Sequence, residues 1–460
     1  MSRPSFVSPV TSAPGRLYWS RQILAALFSF ECLVILSAFA DAVQFFIPWH
    51  PPFPLAIVPA AIAVPIGAAI VWRHGLYLPG MATASAYLMF VAWTIASMGW
   101  SPSRVLAKQI LMYELTFLLW FIVATSFVVA RDRTRVVRMI IVFAIMAVLL
   151  SFAGLWISYF HGNFKYTMAT AIEGTTNSRA YNRVGYSVAF GSVVLFGIAS
   201  LSRLWSAKQL LSASLCAVGF LFLLVGGSRG ALLSALGGCL FVMLVMNLPS
   251  ARGRPRLWTS QGIIFVVVVA VAIGLVIIVN AGVELTTLNR ALSYLRYLEN
   301  PEISLRRDRV QYFTSALEHW YSSPWIGLGM AGFNMVDGRG EMPGAHPHNI
   351  ILEILVNYGV IGLIFFGLFV WTGLRNMSVR RLSTDPVMMI VGAVFFTAFV
   401  ASMGSQDLIR HDVLMMSIAL MTCPPLESPS PARRSSLDTS RRRRAESGSA
   451  LPVLPKFVRS

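Results

Sequence analysis

Charged residues are scarce in this chain. Asp, Glu, Lys and Arg make up only 12% of its 460 residues, whereas about a quarter of a soluble domain is charged. Hydrophobic residues make up 56%, and the mean hydropathy is +0.68. Many apolar runs approach or reach the roughly 20 residues that a membrane-spanning helix needs. The composition excludes a soluble protein built around one large core and indicates an integral membrane protein.

Cysteine is also rare, with four residues in the chain. Cys32, Cys216 and Cys239 fall inside apolar runs, and Cys423 ends the last run. No Cys-x-x-Cys pair occurs. This spacing indicates neither a disulfide framework nor a zinc site.

Acidic residues are outnumbered, because 37 Lys and Arg stand against 19 Asp and Glu and give a net charge of +18. A nucleic-acid-binding protein places its basic residues on one exposed face. Here they are spread over short loops between apolar runs and over a C-terminal tail, which is the pattern that orients membrane proteins. We therefore expect membrane lipids as partners and no nucleic acid. The run Arg441 to Arg444 fits anionic lipid better than nucleic acid.

The apolar runs predict an all-α integral membrane protein of about 12 transmembrane helices. With the N-terminus inside, most Lys and Arg lie on the inner side, so both termini are predicted to be cytoplasmic. The predicted spans are residues 23–40, 54–72, 80–99, 108–130, 137–159, 186–202, 209–226, 230–247, 262–280, 349–374, 387–404 and 411–423.

The spans divide the chain into five regions. These are a cytoplasmic N-terminus at 1–22, spans 1–9 at 23–280 with an outer loop at 160–185, an outer helical region at 281–348, spans 10–12 at 349–423, and a disordered basic tail at 424–460.

Two amphipathic helices are predicted in the outer helical region. One carries Leu288, Leu292 and Leu295, and the second carries Val310, Phe313, Leu317 and Trp320 at spacings of 3, 4 and 3. Asn300-Pro301 suits the start of the second helix, and Pro324 limits its end.

Ionisable residues inside spans need partners or water, because a lone charge in lipid is costly. Glu31, Asp41, Lys108 and Glu114 are such residues. Arg229 stands at the outer edge of two spans, within Gly226-Gly227-Ser228-Arg229-Gly230. That run fits the Gly-x-Ser-x-Gly of serine hydrolases, but the motif requires a strand-to-helix turn in an α/β sheet. We expect Arg229 to face a polar cavity; the alternative is an arginine that reaches the membrane interface.

Further cationic residues lie in the outer helical region. Arg309 and Arg306 are one helical turn apart, and guanidinium groups bind phosphate bidentately. Pairing with Glu302 or Asp308 is the structural alternative. Together with Arg229, these arginines predict an anionic ligand on the outer side of the membrane.

A pair of histidines precedes the tenth span, in His346-Pro347-His348-Asn349. No carboxylate or cysteine in the same segment completes a metal site, so no metal is predicted. An imidazole in a polar outer cavity suits a general base, and the alternative for His348 is a cap of the following helix. The N-terminus of that helix also favours phosphate oxygens.

Taken together, these motifs resemble the O-antigen ligase and polymerase superfamily of bacterial envelope glycan assembly. The resemblance covers about residues 170–400. Its motifs are His348-Asn349, nine residues from Ile350 to Tyr358, and Gly359-Val360-Ile361-Gly362; Arg309, Tyr312-Phe313 and Pro324-Trp325-Ile326-Gly327-Leu328-Gly329; Ser228-Arg229-Gly230; and Asn182-Arg183-Val184-Gly185.

The resemblance implies a multi-pass protein of the bacterial inner membrane that transfers a glycan from an undecaprenyl-diphosphate-linked donor at the periplasmic face. It implies an inverting reaction without metal or other cofactor, and lipid A core or another glycan as acceptor. His348, Arg309 and Arg229 would be catalytic. Contacts to the diphosphate or glycan would come from Arg306, Arg183, Asn182, Asn349 and His346. The alternative is a transporter or flippase for a lipid-linked glycan or another anion, which would carry its charges near the bilayer midplane and show an internal repeat.

Overall fold

The computed structural model describes residues 16–47, 53–164, 180–202, 205–248, 257–290, 292, 309–338, 340–341, 346–404 and 411–425. Within these ranges the regular structure is helical and no strand occurs, which confirms the all-α class. The predicted tail, the start of the second amphipathic helix at Pro301 and most of the loop at 160–185 lie outside the described residues.

Residues 286–290 are helical, and sixteen further helices are described. They are α1 (Arg16–Leu27), α2 (Phe30–Gln44), α3 (Ile57–His74), α4 (Leu78–Ser97), α5 (Val105–Val129), α6 (Arg133–His161), α7 (Ala180–Leu201), α8 (Ala207–Val225), α9 (Arg229–Asn247), α10 (Leu257–Asn280), α11 (Arg309–Ser322), α12 (Gly332–Val336), α13 (Ile350–Leu374), α14 (Val379–Thr384), α15 (Pro386–Ser402) and α16 (Asp412–Leu420).

Eight of the described helices are long and apolar enough to cross a membrane: α3 to α9 and α13. Each overlaps a predicted span. The first predicted span is a helix pair, α1 and α2, bent by 58°. Among the remaining predicted spans, α15 has 17 residues, at the short end of the length that a crossing needs, and α16 has nine, which is too short for one. The total of 12 spans stays a prediction.

Helix α7 is the centre of the bundle and is almost entirely buried. It packs against α2, α6, α8, α9 and α15. Small residues let these helices approach closely. A Cβ atom at Gly191 would lie 2.1 Å from the Cβ of Ala147 on α6, and one at Gly238 on α9 would lie 2.0 Å from the hydroxyl of Thr397 on α15.

Three of the four ionisable residues named inside predicted spans have polar partners, whereas the fourth, Lys108, is exposed. Arg135 donates to Glu31 at 2.9 Å, and the carboxylate of Glu114 accepts from Thr94 at 3.0 Å. Asp41 pairs with Arg183.

Polar contacts between helices gather at two opposite ends of the bundle. At one end Arg133 donates to Asp385 at 2.7 Å. At the other end Glu341 accepts from Ser103 at 2.6 Å, and the N–H of Glu284 donates to Gly162 at 3.0 Å. This grouping agrees with the predicted inner and outer sides. We call the second end the outer end; which end faces the cytoplasm stays a prediction.

Candidate functional site

Two arginines meet at the outer end, where α8 turns into α9. Arg229 begins α9, and its Nη1 donates a hydrogen bond of 3.1 Å to the carbonyl oxygen of Arg290. The guanidinium of Arg290 donates to the carbonyl oxygen of Gly227 and, at 3.3 Å, to the hydroxyl of Tyr181. It also lies over the ring of Tyr181, 5.6 Å from the centroid. We call these four residues the arginine cluster.

Thr287 fixes the backbone that carries this cluster. Residues 286–290 are helical and follow α10. The buried hydroxyl of Thr287 donates to the carbonyl of Leu223 and accepts from the N–H of Gly227, each at 2.7 Å. Gly227 has a φ of 85°, which glycine adopts without steric cost. The turn before Arg229 and the segment of Arg290 are therefore one hydrogen-bonded unit.

The cluster has the chemistry of an anion site. Like charges in one network repel each other, and a bound anion relieves that repulsion. Guanidinium groups match phosphate oxygens with paired donors. The N-terminus of α9, which Ser228 caps, adds the positive end of a helix dipole. A phosphate or diphosphate suits this place.

An apolar groove follows α9, and the first residue of α9 that lines it, Leu232, lies about one helical turn after Arg229. It has a volume of about 660 Å³ and is lined by apolar side chains of α7, α8, α9 and α10. Leu232, Leu236 and Met243 line it, and they continue the face of α9 on which Arg229 lies. Leu236 is 50% exposed although it is apolar, as expected for a wall that meets lipid. An extended hydrocarbon chain fits this groove.

Asn182 and Arg183 lie in the first turn of α7, and the structure does not bring Arg183 into the arginine cluster. Tyr181 contacts the cluster, whereas the guanidinium of Arg183 pairs with Asp41 of α2. Positions two residues apart point about 200° apart around a helix. Arg183 therefore lies on the opposite side of α7 from the arginine cluster.

The histidines sit against α11. The ring of His348 is edge-on to Tyr312, with 5.7 Å between the centroids, and 4.1 Å from the ring of His346. His346 is buried and His348 is half-buried. His348 has a φ of 57°, a left-handed conformation that costs a non-glycine residue about 1–3 kcal/mol and is found most often at functional sites. Its surroundings hold the imidazole in a set position.

Asn349 caps α13. Its side-chain oxygen accepts from the N–H groups of Ile351 and Leu352, at 3.0 and 3.1 Å. The cap is therefore Asn349, which removes the helix-capping alternative for His348. The same bonds engage two of the N–H groups that were expected to favour phosphate oxygens.

Helix α13 is broken at Gly359, the first glycine of its Gly-x-x-Gly motif. Gly359 has a φ of 68° and a ψ of −170°, which are not helical. At Gly359 the backbone of residues 324–329 fills the space that a side chain would take, whereas Gly362 lies against Trp93 of α4. A Cβ atom at Gly359 would lie 2.2 Å from the carbonyl oxygen of Trp325. Only glycine permits this contact.

Residues 324–329, the Pro-x-x-Gly-x-Gly loop, replace the hydrogen bonds that the break removes. The N–H groups of Leu328 and Gly329 donate to the carbonyls of Val356 and Asn357, each at 2.8 Å. In return, Val360 donates to the carbonyl of Pro324 at 2.9 Å. On the far side, the indole of Trp93 donates to the carbonyl of Tyr358 at 2.9 Å. The two motifs are therefore one interlocked unit, which we call the loop lock.

Helix α11 rests on the loop lock. It ends at Ser322, as Pro324 predicts. Its buried residues are Tyr312 and Ala316, which pack with Phe333 and Val356. The predicted face had named Phe313 and Leu317, which are only partly buried. Ala316 turns toward α13 because its small side chain lets the two helices come close.

Arg309 and Arg306 remain predictions. Arg309 is the first residue of α11, but its side chain lies outside the described part of the chain, as does the whole of Arg306. The meeting of Arg309 and His348 with the arginine cluster in one pocket is likewise a prediction.

Sequence reasoning missed Arg290. The residue follows the apolar run of α10 on the outer side, where the distribution of basic residues disfavours a cation. That exception to the charge pattern was the available signal. Thr287 and Tyr181 carried no signal of their own, because their roles depend on contacts between distant segments.

These features define a class: a multi-pass helical membrane protein with guanidinium groups above a lipid-facing groove. A profile of the O-antigen ligase family matches residues 214–367, about a third of the chain. The matched segment runs from α8 into α13 and includes Arg229, Arg290, His348 and the loop lock. The match confirms the resemblance to the O-antigen ligase and polymerase superfamily. No protein of curated function matches the sequence at a significant level.

The family match indicates a membrane glycosyltransferase of the ligase or polymerase type in a bacterial membrane. It implies glycans and lipid-linked substrates in general.

Proposed function

We propose that this protein transfers a glycan from an undecaprenyl-diphosphate-linked donor to an acceptor hydroxyl at the periplasmic face, with inversion at the anomeric carbon. The acceptor is lipid A core or a growing glycan. The donor diphosphate binds at the arginine cluster, and its polyprenyl chain lies in the apolar groove along α9.

In the proposed reaction the acceptor oxygen attacks the anomeric carbon as the bond from that carbon to the diphosphate oxygen breaks. The diphosphate leaves with the bonding electron pair, so negative charge grows next to Arg229 and Arg290 and is stabilised there. Arg309 adds a third guanidinium. His348, as a neutral imidazole, accepts the proton of the attacking hydroxyl. Arg306, Asn182 and His346 remain candidates for contacts to the glycan or diphosphate.

One observation supports this proposal most strongly: Arg229 and the groove-lining residues Leu232, Leu236 and Met243 share one face of α9. A charged head and a hydrocarbon chain in one molecule match a cationic site that continues into a lipid-facing groove. A lipid diphosphate has this form.

The proposal is tested by single substitutions assayed in membranes with lipid-linked donor glycan and lipid A core. We expect Arg229→Ala and Arg290→Ala to lower kcat by about 10²–10³, the cost of removing a donor to developing negative charge. His348→Ala should lower it by about 10²–10⁴ through loss of the base. Product formation is measured on gels as transfer of labelled glycan.

Arg104→Ala is the matched control, because Arg104 is an exposed outer-end arginine on the loop before α5. It should keep full activity. Arg229→Lys keeps the charge without the planar fork and should recover only part of the rate. Full activity of both Arg290→Ala and His348→Ala would contradict the mechanism.

A deletion strain separates ligase from polymerase. Loss of long chains from lipid A with accumulation of lipid-linked polymer indicates a ligase, whereas single repeat units or shortened exopolysaccharide indicate a polymerase. Uptake of lipid-linked glycan into vesicles without change of covalent structure would favour the transporter instead.

A further inference from the structure

A second cavity lies at the outer end on the other side of α7 from the arginine cluster. It has a volume of about 510 Å³, and its lining includes Asp41, Gln44, Phe53, Tyr113, Phe117 and Arg183. We call it the Asp41 cavity. Its size falls in the range of roughly 300–1,000 Å³ typical of small-molecule sites.

The Asp41 cavity combines a charged pair with aromatic rings. The side chains of Asp41 and Arg183 pair with each other and are still 35% and 27% exposed, so both also reach the cavity. Phe53, Tyr113 and Phe117 line the same space. A carboxylate accepts hydrogen bonds and a guanidinium donates them, while aromatic rings offer apolar faces.

The charge of this cavity disfavours a phosphate. Asp41 neutralises Arg183, and Asp412 lines a smaller space of about 60 Å³ that continues from the cavity past the same pair. A diphosphate placed here would be repelled by two carboxylates and attracted by one guanidinium. A neutral ligand that both donates and accepts hydrogen bonds meets no such repulsion. Hydroxyl groups on a sugar ring have this property.

The position of the cavity indicates which of the two substrates supplies the sugar that it binds. Tyr181 and Arg183 face opposite sides of α7, so the sugar joined to the donor diphosphate lies one helix width away, about 10 Å. The Asp41 cavity is therefore too far away to hold the sugar that is joined directly to the diphosphate.

We infer that the Asp41 cavity binds the glycan of the acceptor, with Asp41 and Arg183 bonding its hydroxyls and the aromatic rings packing on its C–H faces. The inference rests on the proposed function. The acceptor reaches the anomeric carbon over the N-terminus of α7, where the two sides meet.

The kinetic test uses the full-length protein in nanodiscs with saturating donor and varied acceptor. Asp41→Asn and Phe117→Ala should each raise the acceptor KM by about tenfold or more, because a hydrogen bond to a charged group, or an aromatic contact, is lost. The donor KM should not change, and kcat should stay close to that of the wild type. Phe160→Ala, at an exposed ring on α6, is the control and should leave both constants unchanged.

A labelling test does not depend on turnover. The four native cysteines are buried, so Gln44→Cys provides one reactive thiol in the cavity. Lipid-free core oligosaccharide, or free repeat-unit oligosaccharide, should slow its reaction with a maleimide, whereas inorganic pyrophosphate should not. Val336→Cys, exposed on α12, should react equally with and without sugar.

The outcomes separate the two proposals. If the wild type transfers no glycan but sugar still protects Gln44→Cys, the proposed function fails and the cavity stands as a glycan site. If transfer occurs, no sugar protects Gln44→Cys, and the acceptor KM of both variants equals that of the wild type, the inference is wrong. A rise in donor KM alone would assign the cavity to the donor glycan and overturn it as well.

Discussion

At the scale of single residues, neighbours in the chain at Tyr181 belong to different sites in the structure. Arg183 and Arg229 both stand in motifs, yet Tyr181 joins the arginine cluster while Arg183 pairs with Asp41. Arg290 stands in no motif and still lies beside Arg229. Motifs pointed to Arg229 and His348 as candidates because the chemistry of each residue is local. Motifs could not show which side of α7 each polar group faces, because packing sets the rotation of that helix about its axis.

Glu341 is a second residue that only the structure identifies. Its carboxylate accepts from the hydroxyl of Ser103 at 2.6 Å and from the N–H groups of Arg104 and Leu106, each at 2.9 Å. The acceptor thus stands at the N-terminus of α5, although it comes from the outer helical region. These hydrogen bonds, with that of Ser103 the largest contribution, lower the pKa of Glu341 to about 2.

This pKa predicts an acid-sensitive contact. Because the folded value lies below the usual value of about 4.3, the carboxylate stabilises the fold at pH above about 4.3, and this contribution is lost as pH falls toward about 2. Glu341→Gln should lower the unfolding temperature at pH 6 and reduce its fall between pH 4.3 and 2. The measurement is thermal unfolding in nanodiscs across this range.

Glu318→Gln, which removes an exposed carboxylate of α11, controls for the loss of one outer-end charge and should leave the unfolding temperature at pH 6 unchanged. Identical pH profiles of the unfolding temperature for wild type and Glu341→Gln would show that this contact does not stabilise the fold.

At the scale of elements, the long apolar runs predicted helix positions well, because a backbone in lipid must satisfy its own hydrogen bonds. The same rule explains what was missed. The break at Gly359 is tolerated only because residues 324–329 supply partners from outside the helix. A run of apolar letters contains no sign of such a distant partner, so the sequence predicted an unbroken span.

The loop lock predicts different outcomes for two glycines of α13. Gly359→Ala should destabilise the protein by at least about 1–3 kcal/mol, because alanine is strained at this φ and ψ and its Cβ would meet Trp325. Gly367→Ala meets no atom within 4 Å and should be tolerated. Thermal unfolding in nanodiscs measures the stability of both variants. The transfer activity of Gly359→Ala should also fall, because the substitution displaces His348. Equal stability of the two variants would show that the loop lock does not stabilise the fold.

At the scale of the whole molecule, the counting of Lys and Arg predicts two sides for the loops, and which side is cytoplasmic stays a prediction. The contacts of Arg133 with Asp385 and of Glu341 with Ser103 lie at opposite ends. The membrane class also followed from composition alone. The number of spans stays a prediction, because α1 with α2 is bent and α16 has only nine residues, whereas length rules assume straight, full crossings.

The predicted orientation is open to a labelling experiment, again because the native cysteines are buried. Glu318→Cys on α11 and Arg380→Cys on α14 place exposed thiols at opposite ends. A membrane-impermeant maleimide on spheroplasts should label Glu318→Cys alone, and permeabilised membranes should show both. The reverse pattern would place the arginine cluster in the cytoplasm and rule out periplasmic transfer.

The loop lock also restricts how a substrate can reach the histidines. Lifting residues 324–329 away would remove the hydrogen-bond partners of four backbone groups of α13, at a cost of several kcal/mol for each group left unpaired in hydrocarbon. Residues 324–329 therefore cannot act as a hinged cover that leaves α13 during each turnover. In the proposed reaction, donor and acceptor therefore reach the site between helices, while residues 324–329 stay bonded to α13.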